Sequence, residues 1–247
     1  MSEETGVRDS GFGVRAQTAP PDGHGLGREA SPEPRAPNPG AGGDRARIAV
    51  LLSGRGSNFV ALAEACARGE VPAEIVLALS NKPDAGGLER ARERGIAARA
   101  ISGKGLDRDD HERLLIAAIR DAGAEWVCLA GYMRLLTPTF IDAFPQRIVN
   151  IHPALLPAFP GVDAQHQAWE YGVKVSGCTV HLVDTGCDTG PIVLQRVVPV
   201  LDTDSADDLA ARILDQEHIA YATALRLLLT RNWRVEGRRV VFLSEAG

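Results

Sequence analysis

The sequence predicts an α/β fold: a mostly parallel central sheet with helices on both faces and antiparallel strands toward the C-terminus. Three observations predict it. Short, continuously apolar runs alternate with amphipathic stretches from residue 47 to 151, as parallel strands buried on both faces require. Each apolar run leads through a turn into a segment of helical periodicity, the order of a doubly wound sheet. Beyond residue 172 the rhythm changes to two longer strand-like runs joined by a polar turn, which reads as an antiparallel pair.

The elements follow in order. Residues 47–53, RIAVLLS, form a buried first strand, and a glycine turn leads into an amphipathic helix over 57–67. A second apolar strand covers 73–80, a helix 87–94 and a short strand 97–101. A helix over 108–122 precedes a fourth strand at 125–130. A short helix follows Pro138, which suits a first helical turn, and a fifth strand runs 147–151. Residues 173–183 and 190–200 are the longer strands. Asp and Ser signals open a long helix over 205–231, and 234–243, turning at Glu236-Gly237, reads as a hairpin. The whole is a Rossmann-like half followed by a mixed half, in one domain over residues 45–247.

Residues 1–44 differ in kind. They hold 9 of the 26 glycines and 6 of the 15 prolines, and their large apolar residues are scattered. Such a stretch buries too little surface to offset its ordering entropy, so a disordered tail is expected. A dispensable extension or an early-assigned start fits it better than a docking arm.

The chain has 247 residues and a formal net charge of −5, which argues against a nucleic-acid partner. No run approaches the roughly 18 apolar residues of a membrane span, and the N-terminus lacks a signal-peptide core. The four cysteines, Cys66, Cys128, Cys178 and Cys187, show no C-x-x-C spacing. A disulfide scaffold and a zinc ribbon are therefore not expected, and a cytoplasmic setting is.

Three segments carry chemistry. The first is S-G-R-G-S-N at 53–58, between a strand and a helix. Gly54 and Gly56 permit a sharp turn, and the N–H groups of Gly56, Ser57 and Asn58 at a helix start form an anion site. Phe59 stands where a dinucleotide fingerprint needs glycine, and no Walker lysine follows, so a single phosphate fits better than a pyrophosphate. An ordinary capped βα turn explains the same residues without a ligand.

The second is Asn150-Ile-His152-Pro153, at the carboxyl end of the fifth strand, where open α/β sheets bind ligands. Spaced by two, Asn150 and His152 share one face of an extended chain. An amide donor and an imidazole there suit polarising a carbonyl and handling a proton. A capping Asn and a buried structural His are the bland alternative. The loop 154–161, ALLPAFPG, is stiffened by proline. The third segment runs from Gly177 to Gln195, with His181 within a strand and Asp188 on a glycine-flanked loop. A carboxylate there can orient a catalytic histidine, but Asp and Gly also belong in hairpin turns. His181 reads as a packed or supporting histidine. A metal site of His152, His181 and Asp188 lacks supporting spacing, and no metal is expected.

Taken together, S-G-R-G-S-N, then N-I-H-P with L-L-P-x-F-P-G, then H-L-V-D-x-G-x-D-x-G-P-I resemble the glycinamide ribonucleotide formyltransferases, the folate-dependent transformylases of purine synthesis. The resemblance spans residues 46 to about 230, with further matches at Ser80-Asn-Lys82, Gly87–Ala91, Leu129–Arg134 and Gln216-Glu-His218. It implies formyl transfer from 10-formyltetrahydrofolate, as co-substrate, to the amine of 5-phosphoribosylglycinamide. It implies Asn150, His152 and Asp188 as the catalytic trio. Gly56, Ser57 and Asn58 would contact the phosphate and Glu217 the ribose hydroxyls. Arg108, Met133, Arg134, Leu135, Leu136, Asn150 and the loop Asp184, Thr185, Gly186, Cys187, Asp188 would line the folate pocket. In the implied mechanism Asp188 keeps His152 charged while Asn150 and His152 hold an oxyanion. The resemblance also implies a cis Leu156-Pro157 bond, small-molecule partners alone, no nucleic acid or membrane, and a monomer or homodimer. Leu214 departs from the pattern, standing where the family often has a polar residue.

Rivals of the same chemistry are a formyltetrahydrofolate hydrolase and a methionyl-tRNA formyltransferase. The first resemblance comes with an N-terminal regulatory domain, for which residues 1–44 are too short and polar. The second comes with a C-terminal nucleic-acid-binding domain. A nucleotide-binding sensor without activity is a third reading, against which the complete trio argues.

Overall fold

A computed structural model describes residues 45–244; the expected tail, residues 1–44, lies outside the described residues. Among these residues the order is β1 (Ala46–Leu52), α1 (Ser57–Ala67), β2 (Ala73–Ser80), α2 (Gly86–Glu93), β3 (Ala98–Ala100), α3 (Arg108–Asp121), β4 (Trp126–Leu129), α4 (Pro138–Ala143), β5 (Ile148–His152), α5 (Ala164–Tyr171), β6 (Val175–Leu182), β7 (Ile192–Pro199), α6 (Ala206–Thr230), β8 (Trp233–Glu236) and β9 (Arg239–Phe242). The strands form one sheet in the order β3-β2-β1-β4-β5-β6-β7-β9-β8. The first five are parallel; β6 and β7 run antiparallel beside β5. The terminal hairpin returns to the sheet and joins β7 in parallel through Ile192 and Arg239.

Alternation along the strands divides the core. Ile48, Val50 and Leu52 of β1 face Phe59 and Leu62 of α1 and Leu209, Ile213, Leu225 and Leu228 of α6. Ala49 and Leu51 face the other way, onto Leu115 and Ile119 of α3 and Phe140 of α4. A period of two on a sheet covered by helices on both sides makes every β1 residue from Ile48 to Leu52 fully buried. α6 starts with a capping box: Ser205 Oγ accepts from Asp208 N–H while the Asp208 carboxylate accepts from Ser205 N–H. Deep in the same helix, the Tyr221 hydroxyl lies 3.0 Å from both Leu129 O and Val149 O, tying α6 to the last residue of β4 and to β5.

One helix was not expected. α5 lacks a start signal, because Asp163 enters it at φ 57 without a side-chain cap, and its buried residues are only Ala164 and Ala168. No helix among the described residues is long and apolar enough to cross a membrane.

Candidate active site

The parallel strands set the location. The turns after β1, β2, β4 and β5 all open at one edge of the sheet, the edge that carries ligands in open α/β folds. The first turn packs on the start of α2. Gly56 takes φ 78 as the N-cap of α1, and a Cβ there would stand 2.7 Å from Gly87 Cα. Glycine is required twice over, for the left-handed backbone and for the close approach. The Asn58 amide donates to Glu217 Oε2 at 3.0 Å, so the loop and the buried acid of α6 form one unit. Burial raises the Glu217 carboxyl to about 7, against the pull of the Asn58 hydrogen bond. Leu214 stands one turn before Glu217 on α6, half-buried.

Ser53 joins this turn to the segment after β4. Its N–H donates to Gly131 O at 3.0 Å, and its hydroxyl donates to Asn81 Oδ1 at 2.7 Å while accepting from Met133 N–H at 3.0 Å. Met133 and Leu135 are exposed there, and Leu136 is buried. Arg134 is half-buried and lies against His111, whereas Arg108, one turn earlier on α3, is exposed.

The structure brings Asn150, His152 and Asp188 together, and adds His181. Asn150 faces His181 across the β5–β6 ladder, and its amide donates to His181 Nε2 at 3.1 Å. His181 Nδ1–H donates to Leu182 O at 2.8 Å, which leaves Nε2 as an acceptor and fixes which end of the Asn150 amide it meets. The loop after β6 folds back over this face. Asp188, at φ 54, accepts from Gly161 N–H at 2.8 Å and stands 3.3 Å from His152 Nδ1 and 3.6 Å from His181 Nε2. Asn150 Nδ2 reaches Asp188 Oδ1 at 3.5 Å. Asp184 pins the loop by accepting from Gly186 N–H and the Thr189 hydroxyl, at 3.1 and 2.6 Å. Thr185, Gly186 and Cys187 are exposed at its tip. The Leu156-Pro157 bond is cis.

Burial opposes the charge on Asp188, but the neighbouring His181 and His152 rings and the Gly161 N–H outweigh it and hold the carboxyl down at about 2. His152 moves the other way from the expectation that Asp188 keeps it charged. Desolvation is the largest influence and holds its pKa below the ordinary value, against the pull of Asp188 and the Phe159 carbonyl. The buried ring is therefore neutral at pH 7. Its Nε2 lies 2.8 Å from Phe159 O, and Phe159 takes φ 52 to turn that carbonyl inward. Both ring nitrogens thus face acceptors, a pair of contacts that only the imidazolium fills completely. The site is built to receive a proton rather than to store one.

His181 is the supporting residue that spacing alone left ambiguous; its placement opposite Asn150 depends on the β5–β6 register. Among the described residues, no group of three or more His, Cys, Asp or Glu could hold a metal ion.

Residues 46–225 match the formyl transferase family. The chain is 41% identical over 192 residues to the phosphoribosylglycinamide formyltransferase of Escherichia coli, covering 77% of this chain and 88% of that protein. It is 46% identical over 189 residues, 75% of its length, to the trifunctional purine biosynthetic protein adenosine-3 of Drosophila melanogaster, but spans only 14% of that protein. The crystal structure of glycinamide ribonucleotide transformylase 1 from Symbiobacterium toebii superposes with a TM-score of 0.80 at 47% identity, covering 82% of this chain and 96% of that one.

Proposed function

The chain belongs to the formyl transferase family, and on that premise we propose that it transfers the formyl group of 10-formyltetrahydrofolate to the primary amine of 5-phosphoribosylglycinamide, a step of purine (IMP) synthesis. One observation carries the reading: an amide donor, a neutral buried imidazole and an ionised carboxylate meet within hydrogen-bonding reach at the ligand-binding edge of the sheet. The ordered matches to enzymes named for this reaction support it.

Gly56, Ser57 and Asn58 hold the phosphate, and Glu217 the ribose hydroxyls. The walls at Met133–Leu136 and Asp184–Asp188 hold the folate, with Arg108 at the rim. The amine nitrogen attacks the formyl carbon, giving a tetrahedral carbon with an oxyanion. Asn150 donates to that oxygen. Neutral His152 takes the proton released by the attacking nitrogen and becomes an imidazolium beside the oxyanion. Asp188 stabilises the new cation without becoming protonated, since its carboxyl stays ionised far below neutrality. The contact of His152 with Asp188, at 3.3 Å, is longer than a formed charge-assisted bond, so it can tighten as charge develops. The proton then passes to N10 of the folate as the carbon–nitrogen bond breaks, leaving tetrahydrofolate and the formylated amine. Losing one oxyanion donor typically costs about 10²–10³ in rate. Fixing two substrates side by side supplies much of the remaining acceleration.

The test is to incubate the protein with 10-formyltetrahydrofolate, with and without the ribonucleotide, and follow tetrahydrofolate. Release that requires the ribonucleotide and yields its formylated product supports the reading. Release without the amine makes the protein a hydrolase, and no release under either condition makes it a binding protein.

A further inference from the structure

Two consecutive residues of α3, His111 and Glu112, are polar and buried, at 0% and 2% exposure, and take no part in the chemistry above. Both reach the folate-wall segment. Glu112 holds its end: the carboxylate accepts from Thr137 N–H at 3.1 and 3.0 Å and from the Thr137 hydroxyl. His111 holds its charged side chain. Its Nε2 lies 2.7 Å from Ile101 O, and since a carbonyl only accepts, Nε2 carries the ring hydrogen. Nδ1 is left as an acceptor, and Arg134 Nη1 stands 3.2 Å from it. Gly103 completes the seat, because a Cβ at that position would overlap Arg134 Nη1 and come within 3.1 Å of His111 Cγ. The guanidinium therefore rests in a niche made by a missing side chain and an imidazole of fixed tautomer.

We propose that His111 is a positioning residue for Arg134: it holds the guanidinium ready for the anionic glutamyl end of the folate and so sets the affinity for that substrate. The inference rests on the functional reading above. An arginine side chain carries about 2 kcal/mol of rotamer entropy, and a side chain already fixed loses less of it on binding a carboxylate.

The experiment compares steady-state kinetics and melting temperatures of the unsubstituted enzyme, His111→Phe, His111→Asn, Arg134→Ala and the His111→Phe/Arg134→Ala double variant. Phenylalanine keeps the ring volume without the acceptor, whereas asparagine keeps an acceptor near the Nδ1 position. Losing a charge-assisted contact of this kind predicts a rise of about tenfold in KM for the formyl folate with His111→Phe. The value of kcat and the KM for the ribonucleotide should stay within about twofold. His111→Asn is expected to recover most of the loss. In the Arg134→Ala background, His111→Phe is expected to change KM by less than about twofold. An equal rise in both backgrounds, or an unchanged KM, overturns the inference. His111→Leu, alone and combined with Arg134→Ala, also removes the acceptor and is read in the same way, so poor folding of His111→Phe does not rescue the inference. Absence of formyl transfer by the unsubstituted enzyme overturns the functional reading itself, a result distinct from transfer that ignores His111.

Discussion

Replacing Glu217 by glutamine should make the protein more stable at alkaline pH, although it removes a group assigned to the substrate. Burial raises this carboxyl from 4.5 to about 7. A raised folded-state value means that the folded chain binds the proton more tightly than the unfolded chain. The contribution to stability is present below the unfolded value and is lost as pH rises toward 7. The full shift corresponds to about 3 kcal/mol, of which about 2.5 kcal/mol falls between pH 5 and pH 8. The glutamine amide carries no such penalty and can still accept from Asn58. Urea unfolding of both proteins at half-unit intervals from pH 5 to 8 measures the difference. The stability of Glu217→Gln relative to the parent should rise with pH by an amount of that order. Two parallel curves would refute the buried, proton-holding carboxyl. Ribose hydroxyls donating to Glu217 favour its ionised form, so nucleotide binding should tighten as pH rises through 7 in the parent and not in the variant.

Gly56→Ala forces a side chain into φ 78 against Gly87. The left-handed backbone alone costs about 1–2 kcal/mol, so a lower urea midpoint and a raised KM for the ribonucleotide are expected. Tyr221→Phe removes a hydroxyl shared by two strand carbonyls and should cost about 1–2 kcal/mol in urea unfolding, with turnover per folded molecule kept. His152 must be neutral to take a proton, and its pKa is below the ordinary value, so its limb of the kcat/KM profile should lie below pH 6.5. The substrate amine adds a limb near its own pKa, about 7.7–8.0, and that limb alone should remain in His152→Ala.

The parallel half was legible because β1, β2, β4 and β5 are mostly buried, so apolar run, turn and helix repeat along it, with only the short edge strand β3 exposed. α1 begins at the expected Ser57, and the start of α6 is written in the Ser205–Asp208 capping box. α5 was not legible, since two buried alanines and an uncapped entry at Asp163 leave no periodic apolar stripe to read. The hairpin was expected, but its parallel junction with β7 rests on one residue pair far apart in sequence. In the site, Asn150 and His152 share a face by their spacing alone, while His181 beside Asn150 depends on a register that sequence does not print. The lowering of the His152 pKa was not legible in the sequence for a physical reason. A neighbouring carboxylate can be guessed from the sequence, but the larger desolvation can only be weighed once the ring is known to be 4% exposed. The His111–Arg134 contact was equally hidden, since it joins a helix to a loop through one nitrogen and a space that Gly103 leaves open.

Single-turnover formyl transfer by Asp188→Asn and His152→Ala, with both substrates saturating and folding verified by unfolding midpoint, bears most directly on the chemistry assigned to these groups. Each variant should retain both substrates yet slow the transfer step by about 10²-fold or more. Transfer at nearly the parent rate in either one would mean that the reaction runs through other groups.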